Sequence, residues 1–475
     1  MAARNARLLR NVPLKFGGPG SKLQGCGSVS ALGEVRLRHR DILAAAFVLA
    51  PVAFASRGET ADATHAFESL YSFASQLSNL PSQPAGGLIF GPKGSFYGVT
   101  SYGGAPEYGT VFELQESNGT WQANALYAFG TNEGDGLRPE NTVAMGADGT
   151  LYGTTTVGGT YSHGTIYALS PPHAPGGGWT ETTLYNFGNG SDGQYPSSGV
   201  VVDSNGVLYG VTVWGGTDGV GIAYALAPPV RHGGAWTETV LHNFTGSLKG
   251  PSADGAWPYG NLTIASSGRI LGTTYYGGSG NCPYTCGVVF ELKPGKGQDW
   301  SEKIAYNFQG QPSDGEAPFS GVTMGADGTL YGTTYKGGTY NDCLLGCGIV
   351  FALKPAGKGG DWSETVIHEF TSDDYQEGIN PIGMLTPGKA GVLYGTTQYG
   401  GGQSYYCDIS CGTVFALKPS RNGSWTETVL HNFTDQNGDG EAPTGTLIIG
   451  RRGILFGTTP GGGLDTGGTA FQLKP

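Results

Sequence analysis

Charge is scarce in this 475-residue chain, where Asp, Glu, Lys and Arg together make up 13%. Methionine is rarer still, with four residues. Lys, Glu and Leu, which favour helices, are thinly used, and this argues against a helical protein. The apolar run at residues 42–55 (ILAAAFVLAPVAFA) has fourteen residues, too few to span a bilayer. The chain has no G-x-S-x-G elbow, no phosphate-binding P-loop and no H-E-x-x-H metalloprotease motif. Glycine lacks the every-third-residue period of collagen.

What is abundant is glycine, with 86 residues, and aromatic side chains, with 25 Tyr, 20 Phe and 8 Trp. That aromatic content excludes a disordered chain. β-branched and aromatic residues separated by Gly, Asp, Asn and Pro point to strands and turns.

Residues 1–41 carry eight basic side chains and precede the apolar run, which ends Ala53-Phe54-Ala55. A basic flank, a short apolar run and a small-x-small end predict an export signal cleaved after Ala55, followed by a linker over 56–65. The remaining residues hold 18 Lys and Arg against 35 Asp and Glu, a net of −17. This balance argues against nucleic acid as a partner. A monomer is expected, with no membrane contact once the leader is gone.

Residues 66–475 repeat one unit seven times. Tyr-Gly-Thr-Thr or a near variant centres on Gly98, Gly153, Gly210, Gly272, Gly332, Gly395 and Gly457, at intervals of 55 to 63 residues. Gly-Thr-Val-Phe-x-Leu recurs with its aromatic at Phe112, Tyr167, Tyr224, Phe290, Phe351, Phe415 and Phe471. Trp-Thr-Glu-Thr-Val-Leu-Tyr-Asn-Phe recurs with its last residue at Phe73, Phe129, Phe187, Phe244, Phe308, Phe370 and Phe433. A short apolar run precedes each Tyr-Gly-Thr-Thr. Four strands per sixty residues is the size of a propeller blade. The strands are named A (apolar run), B (YGTT), C (GTVFxL) and D (WTETVLYNF).

The chain ends on a C strand and begins, after the linker, with an unattached D strand (AFESLYSF). A D strand placed there can complete the seventh blade. The prediction is an all-β, seven-bladed propeller of four-stranded antiparallel blades, closed by its N-terminal strand, with no exposed sheet edge.

Leu151-Tyr152-Gly153-Thr154-Thr155, the Gly-Gly turn that follows, the GTVFxL strand, the Trp-led strand and an Asp-Gly-x-x-Pro loop together resemble the tandem GloVer (Gloeobacter–Verrucomicrobium) repeats of bacterial secreted proteins. The resemblance covers residues 66–475. It implies an exported, often surface-associated protein and brings no established activity.

Residues present seven times are most simply structural, so function is sought in departures from the repeat. Six cysteines form three C-x-x-x-C pairs, Cys282/Cys286, Cys343/Cys347 and Cys407/Cys411, ahead of strand C in blades 4, 5 and 6. In an exported chain these read as disulfides, the alternative being a metal site shared between blades. His242, His368 and His431 replace the D-strand Tyr. With no Cys or carboxylate at metal-ligand spacing they read as packing positions. B–C and D–A loops share one face, and unrepeated aromatics fall on it: Trp214, Trp257, Tyr195, Tyr275, Tyr276 and Tyr284, with Tyr340, Tyr405 and Tyr406 in enlarged loops. Exposed rings of this kind suit stacking on sugars or a protein contact.

Carboxylates occur in five B–C loops, at Glu107, Asp218, Asp342, Asp408 and Asp465. Asp of the Asp-Gly-x-x-Pro loops (Asp135, Asp192, Asp254, Asp314, Asp439) is expected to cap its own turn. No cofactor is expected. The nearest signal is half a calcium loop, Asp435-x-Asn437-x-Asp439-Gly440, which has Thr446 where a ligating Glu belongs. The leading expectation is an exported, non-enzymatic propeller that binds extracellular carbohydrate or protein on its loop face. The rivals are a secreted enzyme acting on polysaccharide, using B–C carboxylates or His163, and a structural envelope protein.

Overall fold

In a computed structural model, Gly of each YGTT strand lies directly opposite the aromatic of the next strand. Gly153 pairs with Tyr167, Gly332 with Phe351 and Gly457 with Phe471. A Cβ at Gly153 would sit 2.4 Å from the Tyr167 hydroxyl, and one at Gly457 2.6 Å from Phe471 Cζ. The ring therefore occupies the space that a side chain would fill, which explains the fixed Gly of the motif. A β-bulge falls at this aromatic where strand C meets strand D, as between Ile166 and Tyr167 and between Val350 and Phe351. It bends the D strand and adds twist.

The structure describes residues 65–475 apart from 76–78, 175, 232, 247–253, 284, 297–298, 340–342, 344–345, 356–361, 372–376 and 403–410. The expected export signal and all but His65 of the linker lie outside the described residues. No helix among the described residues is long and apolar enough to cross a membrane.

Among the described residues the strands make seven antiparallel blades. The N-terminal strand Ala66–Ser72 pairs with Thr469–Lys474, giving the last blade the same D–C–B–A order as the others. Its register also carries the bulge, since Ser69 faces Phe471 and Tyr71 faces Ala470. The ring closes further at Gln83 N–H, which donates to Gly467 O at 2.8 Å, and at Thr458 Oγ1, which donates to Gly86 O at 2.8 Å.

Between blades, each D-strand Phe meets the C-strand aromatic of the next blade edge-on or tilted. The pairs are Phe73–Phe112, Phe129–Tyr167, Phe187–Tyr224, Phe244–Phe290, Phe308–Phe351, Phe370–Phe415 and Phe433–Phe471, with centroids 5.0 to 5.3 Å apart. All fourteen rings are essentially inaccessible to solvent.

The A runs are shorter than the sequence suggests. In blades 3 and 7 only Val201–Val202 and Ile448–Ile449 pair as strand. Upstream of these residues the chain leaves the ladder, whereas in blades 1 and 6 the loop proline is itself paired, Pro84 with Thr100 and Pro381 with Thr397. The chain rejoins at an unforeseen two-residue rung, such as Gly193–Gln194 with Trp214–Gly215. Glycines admit the crowding of the A runs near the ring axis, where a Cβ on Gly445 would meet Gly86 O at 2.2 Å.

Two substitutions test this core. Tyr167 and Tyr224 carry buried hydroxyls without hydrogen-bond partners, at a place where five blades have Phe. Tyr167→Phe is expected to raise stability by about 1 kcal/mol, measured by urea unfolding. Phe73→Ala, which opens the closing interface, is expected to cost about 3–5 kcal/mol.

Candidate functional site

The site begins with a main-chain clasp between blades. The residue before Pro in each D–A loop donates its N–H to the carbonyl just ahead of strand C in the preceding blade. Examples are Tyr195 to His163 O at 2.8 Å, Trp257 to Val220 O at 2.9 Å and Ala442 to Cys411 O at 2.7 Å. The proline Cδ then lies against a left-handed glycine of the preceding blade. A Cβ at Gly221 would be 2.8 Å from Pro258 Cδ. The residue before Pro takes positive φ in all seven copies: Gln83, Arg138, Tyr195, Trp257, Ala317, Asn380 and Ala442, with φ from 54 to 60°. The backbone is thus fixed by the fold, while the side chain it displays varies from blade to blade.

At the junction of blades 3 and 4 this display brings predicted residues together. Trp214 and Trp257 lie 4.6 Å apart by centroid, Trp257 and Tyr276 5.1 Å, and Tyr276 and Tyr275 4.6 Å. The cluster continues through Tyr259 and Phe319, which stack at 4.9 Å, with Tyr275 edge-on to both. Trp214 is 38% exposed and forms the open end. The Trp257 indole N–H is buried without a partner. Burial raises the Tyr275 phenol and pushes Tyr259 and Tyr335 up to about 12, with neighbouring Tyr hydroxyls adding to each, so these groups stay neutral donors.

Tyr195 stands apart, 37% exposed and edge-on to His163 at 5.6 Å. Tyr284, Tyr340, Tyr405 and Tyr406 lie outside the described residues. Tyr259 and Phe319 were missed by sequence. Each follows the loop Pro, where blades 2, 3, 6 and 7 have Glu140, Ser197, Ile382 and Thr444. The departure-from-repeat criterion that found Trp257 would have found them too.

Disulfides join Cys282 to Cys286 and Cys343 to Cys347. Cys411 is also disulfide-bonded, and Cys407 lies outside the described residues. The second cysteine of each pair supplies the clasp carbonyl, with Ala317, Asn380 and Ala442 as donors. The bridges therefore brace the clasp as well as the loop.

Of the B–C carboxylates, Glu107, Asp218 and Asp465 are exposed, and Asp342 and Asp408 lie outside the described residues. His163 is committed to the clasp through its carbonyl, and its Nδ1 is buried without a partner. Asp439, in the calcium-like stretch, accepts hydrogen bonds from His431, Thr434 and Gly440.

The Asp of the D–A loop does more than cap its own turn. Asp135 accepts from Tyr127 Oη and from Gly130 N, both at 2.8 Å, tying the end of strand D to the loop. Asp192 and Asp314 repeat this with Tyr185 and Tyr306. Facing five of the loop acids is the D-strand Glu of the next blade. Burial pushes Glu181, Glu238, Glu302, Glu364 and Glu427 up to about 7, and the facing Asp135, Asp192, Asp254, Asp314 and Glu377 push in the same direction. Reading His242 as a bare packing position is thereby corrected. Its Nε2 is 3.1 Å from Asp254 Oδ2, and Glu302 of the next blade completes a trio whose donor atoms lie within 4.8 Å of one another. Local spacing hid this trio because Glu302 arrives from the next repeat. Burial pushes the third imidazole of this kind, His368, down to about 4.

These carboxyls predict a pH dependence. A folded-state value raised from about 4.5 to about 7 means that the folded protein holds protons the unfolded chain releases. The stability they add is fully present below pH 4.5 and lost as pH rises through 7. The thermal midpoint should therefore fall between pH 5 and pH 8, a window set by these same values. Glu181→Gln and Glu364→Gln together should flatten that fall, as read by calorimetry across pH.

The sequence model of the Gloeobacter/Verrucomicrobia repeat matches residues 59–284 and 279–475. No curated protein matches the chain. Among solved structures it is similar to a fungal alcohol oxidase of the AA5 family in complex with copper, at 14% identity and TM-score 0.50, covering 86% of this chain and 75% of that one. It is also similar to a PL25 ulvan lyase bound to a GlcA–Rha3S unit, at 10% identity and TM-score 0.49, covering 85% and 94%. A protein of unknown function from Dyadobacter fermentans DSM 18053 is similar at 11% identity and TM-score 0.39, covering 86% and 97%. These likenesses concern the fold alone. Matched over most of its length by the repeat whose four strands build every blade, the chain belongs to the Gloeobacter/Verrucomicrobia repeat family.

Proposed function

We propose that this is an exported, non-enzymatic propeller that binds extracellular carbohydrate through the aromatic face of blades 3 to 5. The observation that carries the proposal is the continuous cluster running from exposed Trp214 through Trp257, Tyr276 and Tyr275. The negative face of an indole attracts the C–H face of a sugar ring, and flat neutral phenols beside it supply hydrogen bonds. The −17 balance of residues 56–475 disfavours anionic polysaccharides, so the ligand is a neutral or cationic glycan. The disulfides suit an oxidising compartment outside the cytoplasm. Of the B–C carboxylates, the three described, Glu107, Asp218 and Asp465, are exposed and lack the enclosed setting that raises the pKa of a general acid.

The test is a glycan array followed by titration calorimetry. Trp257→Ala is expected to leave folding intact, since Ala317 and Ala442 hold the same place in blades 5 and 7. Trp257→Ala and Trp214→Ala should each weaken binding to the best glycan by about tenfold, the scale of one stacked ring. Unchanged affinity in both variants, or an array without any ligand, would reject the proposal.

A further inference from the structure

We propose that His242, Asp254 and Glu302 bind one divalent transition-metal ion of the zinc class, which clamps blade 3 to blade 4. The three side chains come from three places: the D strand of blade 3 (Thr237–Asn243), the loop that follows it, and the D strand of blade 4 (Trp300–Asn307). Four-coordinate zinc with bonds of roughly 2.0–2.2 Å needs its donors about 3.3 Å apart. The trio lies within 4.8 Å, with one pair already at 3.1 Å, so small side-chain rotations suffice. One imidazole with two carboxylates suits zinc, cobalt or manganese better than calcium, which takes oxygen alone.

Comparison of the blade interfaces singles this one out, although His368, Glu377 and Glu427 repeat its residue types: there His368 Nε2 is buried without a partner, and among the described residues those three do not come together as a trio. The frame of a loop acid facing a D-strand Glu recurs, but Tyr127, Tyr185 and Tyr306 offer a phenol where blade 3 offers His242. At His431 the facing residue is Phe67 instead of Glu, and the two rings stack at 3.7 Å. Among the described residues, this trio alone brings three His, Cys, Asp or Glu donors within such reach.

Two features that the repeat supplies at several interfaces become usable here. Glu302 Oε1 is shielded from solvent and has no hydrogen-bond partner, as is true of Glu238, Glu364 and Glu427 Oε1, but among the described residues only Glu302 has an imidazole and a second carboxylate within 4.8 Å. The Asp254 carboxylate is aimed by its surroundings, accepting from Gly255 N at 2.6 Å, Thr245 N at 2.9 Å and Thr245 Oγ1 at 3.0 Å. Metal ligands are oriented by outer hydrogen bonds of this kind. The side chains of His242 and Asp254 keep 21% and 13% of their exposure, leaving an entry path.

The full chain, stripped with chelator and dialysed, is titrated with Co2+ and then Zn2+. One equivalent of Co2+ should bind with visible d–d bands of low-symmetry coordination, and Zn2+ should displace it and raise the thermal midpoint. His242→Tyr copies the residue of blades 1, 2 and 4 and so preserves the packing. It should lower the affinity by about tenfold or more and abolish the thermal shift. Glu302→Gln should do the same, whereas His431→Tyr should bind like the parent. No cobalt spectrum and no zinc-induced shift in the parent, or undiminished affinity in both His242→Tyr and Glu302→Gln, would overturn the proposal.

Discussion

The contact between each D-strand Phe and the C-strand aromatic of the next blade is the constraint from which the remaining architecture follows. Its seven copies hold fourteen rings with almost no solvent access. Edge-on pairs at this separation add about 0.5–1.5 kcal/mol each beyond the area they bury. The ring of strand C needs room, and Gly of strand B supplies it. The same ring sits at the bulge that turns strand D toward the next blade. A seventh pair requires a seventh D strand, and the N-terminal segment provides it, as Phe73 against Phe112. One contact thus accounts for the motif glycine, the bulge and the position of the first strand.

The fold was legible because its determinants are local and repeated. Each strand has its own signature, and the unattached D strand at one end matches the missing one at the other. What remained hidden lies between repeats. His242 and Glu302 meet only because consecutive blades stack, and no pattern within a single unit places them together. The two-residue rung of Gly193–Gln194 with Trp214–Gly215 was hidden for another reason: two residues, one of them Gly on each side, are too few to show an alternating strand pattern, although the backbone pairs there. At the aromatic face the sequence named four members of the cluster and overlooked Tyr259 and Phe319, which pack beneath it.

The ring is uniform in scaffold and uneven in chemistry. Its clasp geometry is the same at all seven junctions. Aromatic display concentrates on blades 3 to 5, and the disulfides on blades 4 to 6 hold the clasp carbonyls of the adjoining junctions. Rings packed against one another on a braced backbone are held in place, because rotating one of them would displace its neighbours.

The backbone of Trp257 separates what the fold demands from what the surface is for. A non-glycine residue in the left-handed region costs about 1–2 kcal/mol. If that strain served the tryptophan, it would be confined to blade 4. It occurs instead at Gln83, Arg138, Ala317, Asn380 and Ala442 as well, always beside the proline that packs on the preceding blade. The strain therefore belongs to the clasp, which recovers it in a main-chain hydrogen bond and in proline–glycine contact. Alanine satisfies that backbone in two blades, so packing alone does not call for an indole at position 257. Its presence there, against Trp214, is a departure from the repeat that the clasp itself does not require.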